Sequence, residues 1–255
     1  MYAAKLPIEV IGCVDIALWD LKGKVLEQPV YRLLGGALRS RIPAYATGGY
    51  YPVKGDEQTW LKNDVQKVIK KGFRAYKMKV GGRSFSQDVQ RVRLTRELLG
   101  DKRKLMVDAT TVYDVSTAKR MGRILEEVGA TWFEDPLLSD DFLGYSELSH
   151  SLNIAVTVHY GARFPYPVIE HVKRHTVHQV QPSIDSAGGF TGSQKLMHLA
   201  QFHHLTYMPS CWATDLHLVA TLQFLATMPS LSTCIRDHPP LLEYDTSENP
   251  LRRLY

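Results

Sequence analysis

Phe73-Arg-Ala-Tyr-Lys-Met-Lys-Val80, Lys104-Leu-Met-Val-Asp-Ala109 and Thr131-Trp-Phe-Glu-Asp135 are three short apolar runs with charged side chains near their C-terminal ends. Each is short for a helix, favours strand, and is separated from the next by a longer segment of helical spacing. Between the second and third, Ala118, Met121, Leu125 and Val128 fall three or four apart on one face, while Lys119, Arg123 and Glu127 point away. Asp114 and Ser116 are candidate caps at the start of that helix, and Gly129 marks its end.

Outward from this stretch, further strand-like runs at residues 42–47, 154–160, 177–184 and 205–211 continue the alternation. The repeat is roughly 25–30 residues, and about seven units in succession imply parallel strands with right-handed crossovers. An open doubly wound sheet and a closed barrel both satisfy that pattern. The even spacing, and the absence of a GxGxxG turn after the first strand, favour an α/β fold of the TIM-like barrel type. A separate helix precedes the first strand, with Val10, Val14, Ala17 and Leu21 as its apolar stripe, and leads into Gln28-Pro-Val-Tyr-Arg-Leu-Leu-Gly-Gly36. The chain thus divides into a lead-in at 1–40, a barrel at 41–245 and a tail at 246–255.

The composition is that of a globular chain: of 255 residues, 44% are hydrophobic and 22% charged, which sets aside disorder and fibrous repeats. No apolar run approaches the roughly 20 residues that span a bilayer, so no membrane partner is expected. The start, Met1-Tyr-Ala-Ala-Lys-Leu-Pro7, lacks the apolar centre of a signal peptide, and a cytoplasmic location is the expectation. Cys13, Cys211 and Cys234 are scattered, with no C-x-x-C pair, which argues against a disulfide framework or a cysteine zinc site. The net charge of +5 is spread among acidic residues, suiting small anionic substrates better than nucleic acid.

In a parallel barrel the strands present their C-terminal ends to one face, where active sites are built. Lys77 and Lys79 are two apart and share a side of their strand. Crowded ammonium groups lower at least one pKa, which makes a lysine a usable general base; a solvated edge pair is the alternative. Asp108 ends the third strand, and Glu134 and Asp135 end the fourth. Converging carboxylates repel unless a cation lies between them, and Mg2+ suits oxygen ligands of this kind; helix capping is the other reading of each acid. His159, ending the fifth strand, could ligate a metal or act as acid/base, or be structural. Ser183 and Asp185 close the sixth run, and Asp185 is expected to point away from Ser183. The turn Ala187-Gly-Gly189 offers backbone N–H groups to an anion. Ser210 and Cys211 end the seventh strand with no base beside them in sequence, so neither reads as a nucleophile. The histidines at 171, 175, 178, 203, 204 and 217 are read as structural or solvated.

Gly12-Cys-Val-Asp-Ile-Ala-Leu-Trp-Asp-Leu-Lys-Gly-Lys24, Leu34-Gly-Gly36, Lys77-x-Lys79, Val107-Asp-Ala109, Phe133-Glu-Asp-Pro136, Gln181-Pro182 and Ala187-Gly-Gly189 occur in an order that resembles the enolase superfamily, in its mandelate racemase/muconate-lactonizing branch. The resemblance covers nearly the whole chain. It implies a (β/α)7β barrel preceded by the last helix of an α+β capping domain whose earlier portion is missing. It also implies removal of a proton next to a carboxylate, with Mg2+ holding the enediolate, and a homo-oligomer. By resemblance Lys79 is the base, Lys77 assists, and Asp108 and Glu134 are metal ligands.

The sequence departs from the family pattern at several places. The Gly-Glu pair ending the fifth strand falls on His159-Tyr160, an Asn of the third strand is Thr110, and the Asp and His of the opposite-face pair are Ser183 and Ser210. His159 or Asp135 would then substitute as metal ligand or acid/base, and Ser183, Asp185 and Ser210 would be substrate contacts. With one face furnished, the leading expectation is a dehydratase acting on a sugar acid or other hydroxy acid. A racemase, epimerase or cycloisomerase of the same branch, and a non-catalytic barrel that has lost its metal site, are the alternatives.

Overall fold

The structure is a computed structural model that describes residues 6–159, 166–233 and 236–249. Tyr160, Cys234 and residues 250–255 of the expected tail lie outside the described residues. The chain opens with α1 (Ile8–Val25) and the single turn α2 (Val30–Leu33), then enters the barrel. There follow β1 (Ala44–Thr47), α3 (Glu57–Lys70), β2 (Ala75–Lys79), α4 (Phe85–Leu99), β3 (Lys104–Asp108), α5 (Val115–Glu127), β4 (Trp132–Glu134) and α6 (Phe142–Ser151). The second half holds β5 (Ala155–Val158), α7 (Tyr166–Arg174), β6 (Gln179–Val180), α8 (Gly189–Phe202), β7 (Thr206–Tyr207) and α9 (Asp215–Thr227). A hairpin of β8 (Leu231–Thr233) and β9 (Arg236–His238), which the βα periodicity did not announce, precedes the last strand, β10 (Leu242–Asp245).

The eight barrel strands form one parallel sheet in the order β10-β1-β2-β3-β4-β5-β6-β7. The expected (β/α)7β arrangement is the one observed: the eighth strand returns to lie beside the first, with Tyr45 opposite Glu243 and Thr47 opposite Asp245. The expected runs shorten at their ends. The sixth and seventh contract most, because Pro182 and Pro209 have no N–H to give a ladder. The helix expected at 115–129 forms as α5, with Asp114 accepting from the Thr117 N–H and Ala118, Met121 and Leu125 buried.

Strand alternation sorts the side chains into layers. Outward-facing Tyr76, Met78, Leu105, Val107, Phe133 and Val156 join the buried faces of the helices in one continuous core. Inward-facing Tyr45, Ala75, Met106, Trp132 and Met208 form a second, separate apolar cluster that plugs the barrel. Two residues further along the same strands come Thr47, Lys77, Asp108 and Glu134, all buried. Charge therefore sits directly above an apolar floor.

The stripe read on α1 faces the other way from the expectation. Val10, Val14 and Leu21 are exposed, while Gly12 and Gly23 are buried. Gly12 permits backbone contact: a Cβ there would overlap the carbonyl of Asp185. Asp15 accepts from the Thr191 N–H (3.1 Å) and Trp19 Nε1–H donates to Thr191 Oγ1 (3.0 Å), so α1 docks on the start of α8 through its small and polar residues. The same contact corrects the anion reading of Ala187-Gly-Gly189. The anion at that helix N-terminus is the chain's own Asp15, and Gly189 leaves room for its carboxylate.

Candidate active site

Lys77 Nζ lies at the centre of the charged layer. It donates to Glu134 Oε1 at 2.6 Å, pairs with Glu243 Oε1 at 2.9 Å, and stands 3.7 Å from Asp108 Oδ2. Burial works to neutralise the ammonium, but Glu134 and Glu243 overcome it and hold the Lys77 pKa well above the ordinary lysine value. The expectation that two neighbouring lysines depress each other is thereby corrected for Lys77, because carboxylates stand closer to it than any cation does. Lys79 is less enclosed. Its Nζ pairs with Asp108 Oδ2 and lies 3.4 Å from Thr110 Oγ1.

The carboxylates have different surroundings. Burial works to raise the Asp108 carboxyl, yet Lys79 and Lys77 bring it far below the usual range. Asp108 Oδ1 also accepts from the Thr110 N–H (2.8 Å), which holds Thr110 at φ 50 and Thr111 at φ 63. These left-handed conformations are costly for threonine and are paid where the chain turns off the strand into the barrel mouth. Burial pushes the Glu134 carboxyl up, with Lys77 opposing and Asp108 adding to the rise. Its second oxygen accepts from Trp132 Nε1–H at 3.1 Å, so the apolar floor also orients it.

Asp135 follows Glu134 and would point outward if the strand continued. It instead adopts φ 43, and its Oδ1 accepts from the His159 N–H at 2.6 Å. His159 Nδ1 lies 3.5 Å from Asp135 Oδ2. Burial works against the charged imidazole, and Asp135 more than offsets this, leaving the His159 pKa raised. Donor atoms of Glu134, Asp135 and His159 lie within 4.8 Å of one another, a set of two carboxylates and an imidazole that suits a divalent cation. Asp108 stands beside this group, with its oxygens engaged by Lys79 and Thr110.

Glu243 was not singled out from sequence. It is buried on β10, where Oε1 takes Lys77 and the Thr47 hydroxyl (2.7 Å) and Oε2 takes the Cys211 N–H (2.9 Å). That last bond joins the segment after β7 to β10; between these two strands no ladder forms among the described residues. Strand alternation in Leu242-Glu-Tyr-Asp245 carried the signal, but only barrel closure aims it at Lys77. On the rim, Trp212 Nε1–H donates to Tyr50 OH (2.6 Å), which donates to Asp245 Oδ1 (2.9 Å).

The remaining expected residues have other surroundings. Ser183 donates to Ser186 Oγ (2.8 Å) inside the turn after β6, and Ser210 is buried at the end of β7. The strand has already ended at Asp185, so its direction is set by the turn, and its Oδ1 meets His217 Nε2 at 3.2 Å. His217 is therefore not solvated, and a ring nitrogen does stand beside Cys211: Sγ to His217 Nδ1 is 3.5 Å. His171 does fit the structural reading, buried between Thr176 Oγ1 (2.6 Å) and the Ser139 carbonyl (2.7 Å).

A barrel of this topology with a lysine pair facing strand-end carboxylates defines a class, and the comparisons place the chain within it. Residues 60–253 match the family described as enolase C-terminal domain-like, and residues 4–35 match the mandelate racemase/muconate lactonizing enzyme N-terminal domain. The chain belongs to the enolase superfamily, in the mandelate racemase/muconate-lactonizing branch. It is 32% identical over 242 residues to the arabinonate dehydratase of Saccharolobus solfataricus, covering 95% of this chain and 62% of that one. It resembles the solved 3,6-anhydro-D-galactonate cycloisomerase of Zobellia galactanivorans at a TM-score of 0.85 and 31% identity, over 96% of this chain and 65% of that one. A racemase of Streptomyces coelicolor A3(2), solved with bound magnesium, matches at a TM-score of 0.79 and 29% identity, over 92% and 66% of the two chains. This chain thus spans a little under two thirds of the length of the first two relatives. Among the described residues no helix is long and apolar enough to cross a membrane.

Proposed function

We propose that the chain's site removes the proton α to the carboxylate of a sugar acid or related hydroxy acid and eliminates the β-hydroxyl, as a dehydratase. The observation that carries this reading is the one-sided arrangement: Lys77 and Lys79 face Asp108, Glu134 and Glu243, while Ser183 is turned into its own loop. A racemase needs a proton acceptor on each side of the carbon; elimination needs one. The first relatives are a sugar-acid dehydratase and a sugar-acid cycloisomerase, which supports the substrate class.

Asp108, Glu134, Asp135 and Glu243 set four carboxylates against the two lysines, and this excess of negative charge suits a dication. Glu134, Asp135 and His159 would hold Mg2+, with Asp108 next to them. The bound ion supplies positive charge where the substrate gains negative charge. Lys79 takes the α-proton at Nζ. Lys77 stays charged, held by Glu134 and Glu243, and attracts the substrate carboxylate. The β-hydroxyl leaves as water with the proton returned from the Lys79 ammonium, and the resulting enol ketonises to a 2-keto acid.

The test is solvent deuterium incorporation α to the carboxylate, together with 2-keto acid formation, across a panel of sugar acids with millimolar Mg2+. Lys79→Ala is expected to lower both by about 10²–10⁴-fold, the usual contribution of a positioned general base. Exchange that is unchanged in a folded Lys79→Ala protein overturns the assignment.

A further inference from the structure

The lysine–carboxylate centre occupies the C-terminal ends of the strands, and at the other end of the barrel two imidazoles face each other. His175 follows α7 and leads into β6, and His203 follows α8 and leads into β7, so both lie where strands begin. His203 Nδ1 stands 3.2 Å from His175 Nε2, with ring centroids 5.2 Å apart and ring planes inclined at 51°. Two nitrogens at that separation are held either by one shared proton or by one metal ion between their lone pairs. Among the described residues the histidines that meet a carboxylate are His159 and His217, so no acid competes for this pair. We infer that His175 and His203 form a second metal site, which takes a divalent transition ion such as Cu2+, Ni2+ or Zn2+ and ties α7 to α8.

The spacing suits such an ion. Two ring nitrogens each about 2.0–2.1 Å from one zinc, at a tetrahedral angle, stand about 3.3–3.4 Å apart. The observed gap needs almost no movement to reach that value. The backbone holds both rings in place: His175 has a left-handed φ of 52 with its N–H on the Val172 carbonyl, and the His203 N–H is shared between the Leu199 and Ala200 carbonyls. Each residue also follows a helix C-terminus, where unpaired carbonyls favour positive charge. The neighbouring cations Lys173 and Arg174 pair with Glu170 at 3.2 and 3.0 Å, which offsets part of their charge.

The site is open to an ion from solution, since His175 is exposed and His203 half-buried. The protein supplies two ligands and water completes the coordination. Imidazole nitrogen suits Cu2+, Ni2+ and Zn2+, whereas Mg2+ takes oxygen. The Glu134, Asp135 and His159 group, with one imidazole and two carboxylates, differs in donor chemistry as well as in place.

The test adds one equivalent of Cu2+ to the whole chain in millimolar Mg2+ and counts the bound nitrogens by electron paramagnetic resonance. Two imidazole nitrogens are expected in the wild-type protein, and the same two in His159→Asn. His175→Asn, in which asparagine tolerates the left-handed backbone, is expected to remove one nitrogen and weaken Cu2+ binding about tenfold or more. His203→Gln is expected to do the same, so a failure of one variant to fold leaves the other to decide. A wild-type spectrum with a single nitrogen overturns the inference. So does a spectrum that either folded variant leaves unchanged, or one that changes in His159→Asn, because the ion then sits elsewhere.

Discussion

Lys77 illustrates how much one buried charge depends on its neighbours. It lies over the Tyr45 ring at 5.7 Å and above the apolar floor, where an unpaired ammonium would be strongly disfavoured. Two carboxylates within 3 Å make it stable, and it in turn makes them stable. Lys77→Met is expected to leave Glu134 and Glu243 buried without their counter-charge and to cost about 3–5 kcal/mol in urea unfolding at pH 7. Near pH 5 the loss should shrink, because the Glu243 carboxyl, held low by Lys77, is pushed up by burial once the lysine is gone and can take a proton. An equal loss at both values would show that packing of the lysine stem, not charge, is what counts. Lys77, Lys79, Asp108 and Glu134 were legible in the sequence because each sits at a strand end where alternation alone gives its side. Asp135 was legible as an acid, but not its direction, which rests on a left-handed φ that a strand pattern does not announce.

At the level of elements, α1 shows where periodicity misleads. Its apolar stripe is real, with Val10, Val14 and Leu21 in line, yet the face against the barrel is the one carrying Gly12, Asp15 and Trp19. Periodicity reports which residues are apolar and not what covers them. Helix α8 begins at Gly189, after a left-handed Gly188, with no capping side chain of its own, and α1 supplies one. Asp15→Ala is expected to lower stability by about 1 kcal/mol, the usual cost of losing an N-terminal cap, read as a reduced denaturant midpoint with unchanged slope. No change would mean that water replaces the carboxylate at no cost. Helix α5, by contrast, was predictable throughout, because its cap, its buried face and its terminating Gly129 all lie within the one segment.

For the molecule as a whole, the charged layer sets more carboxylates than lysines in a buried space, and a cation bound there should stabilise the fold. Chelator-stripped protein given Mg2+ at a hundredfold excess over its Kd is expected to gain about 2.7 kcal/mol. For a chain of this size that is a rise of several degrees in the thermal midpoint. Glu134→Gln should remove most of that rise; a rise that persists in this variant would move the ion away from Glu134, Asp135 and His159. The alternation of strand and helix, the order of the barrel strands and the charged residues at their ends were determined by the sequence itself, since each depends on spacing within a segment of a few turns. The tertiary structure alone decided that Glu243 completes the shell of Lys77, that Asp15 caps α8, and that Asp185, His217 and Cys211 meet. Those contacts join residues far apart in the chain, and they exist only because the eighth strand returns beside the first and the helices close around it.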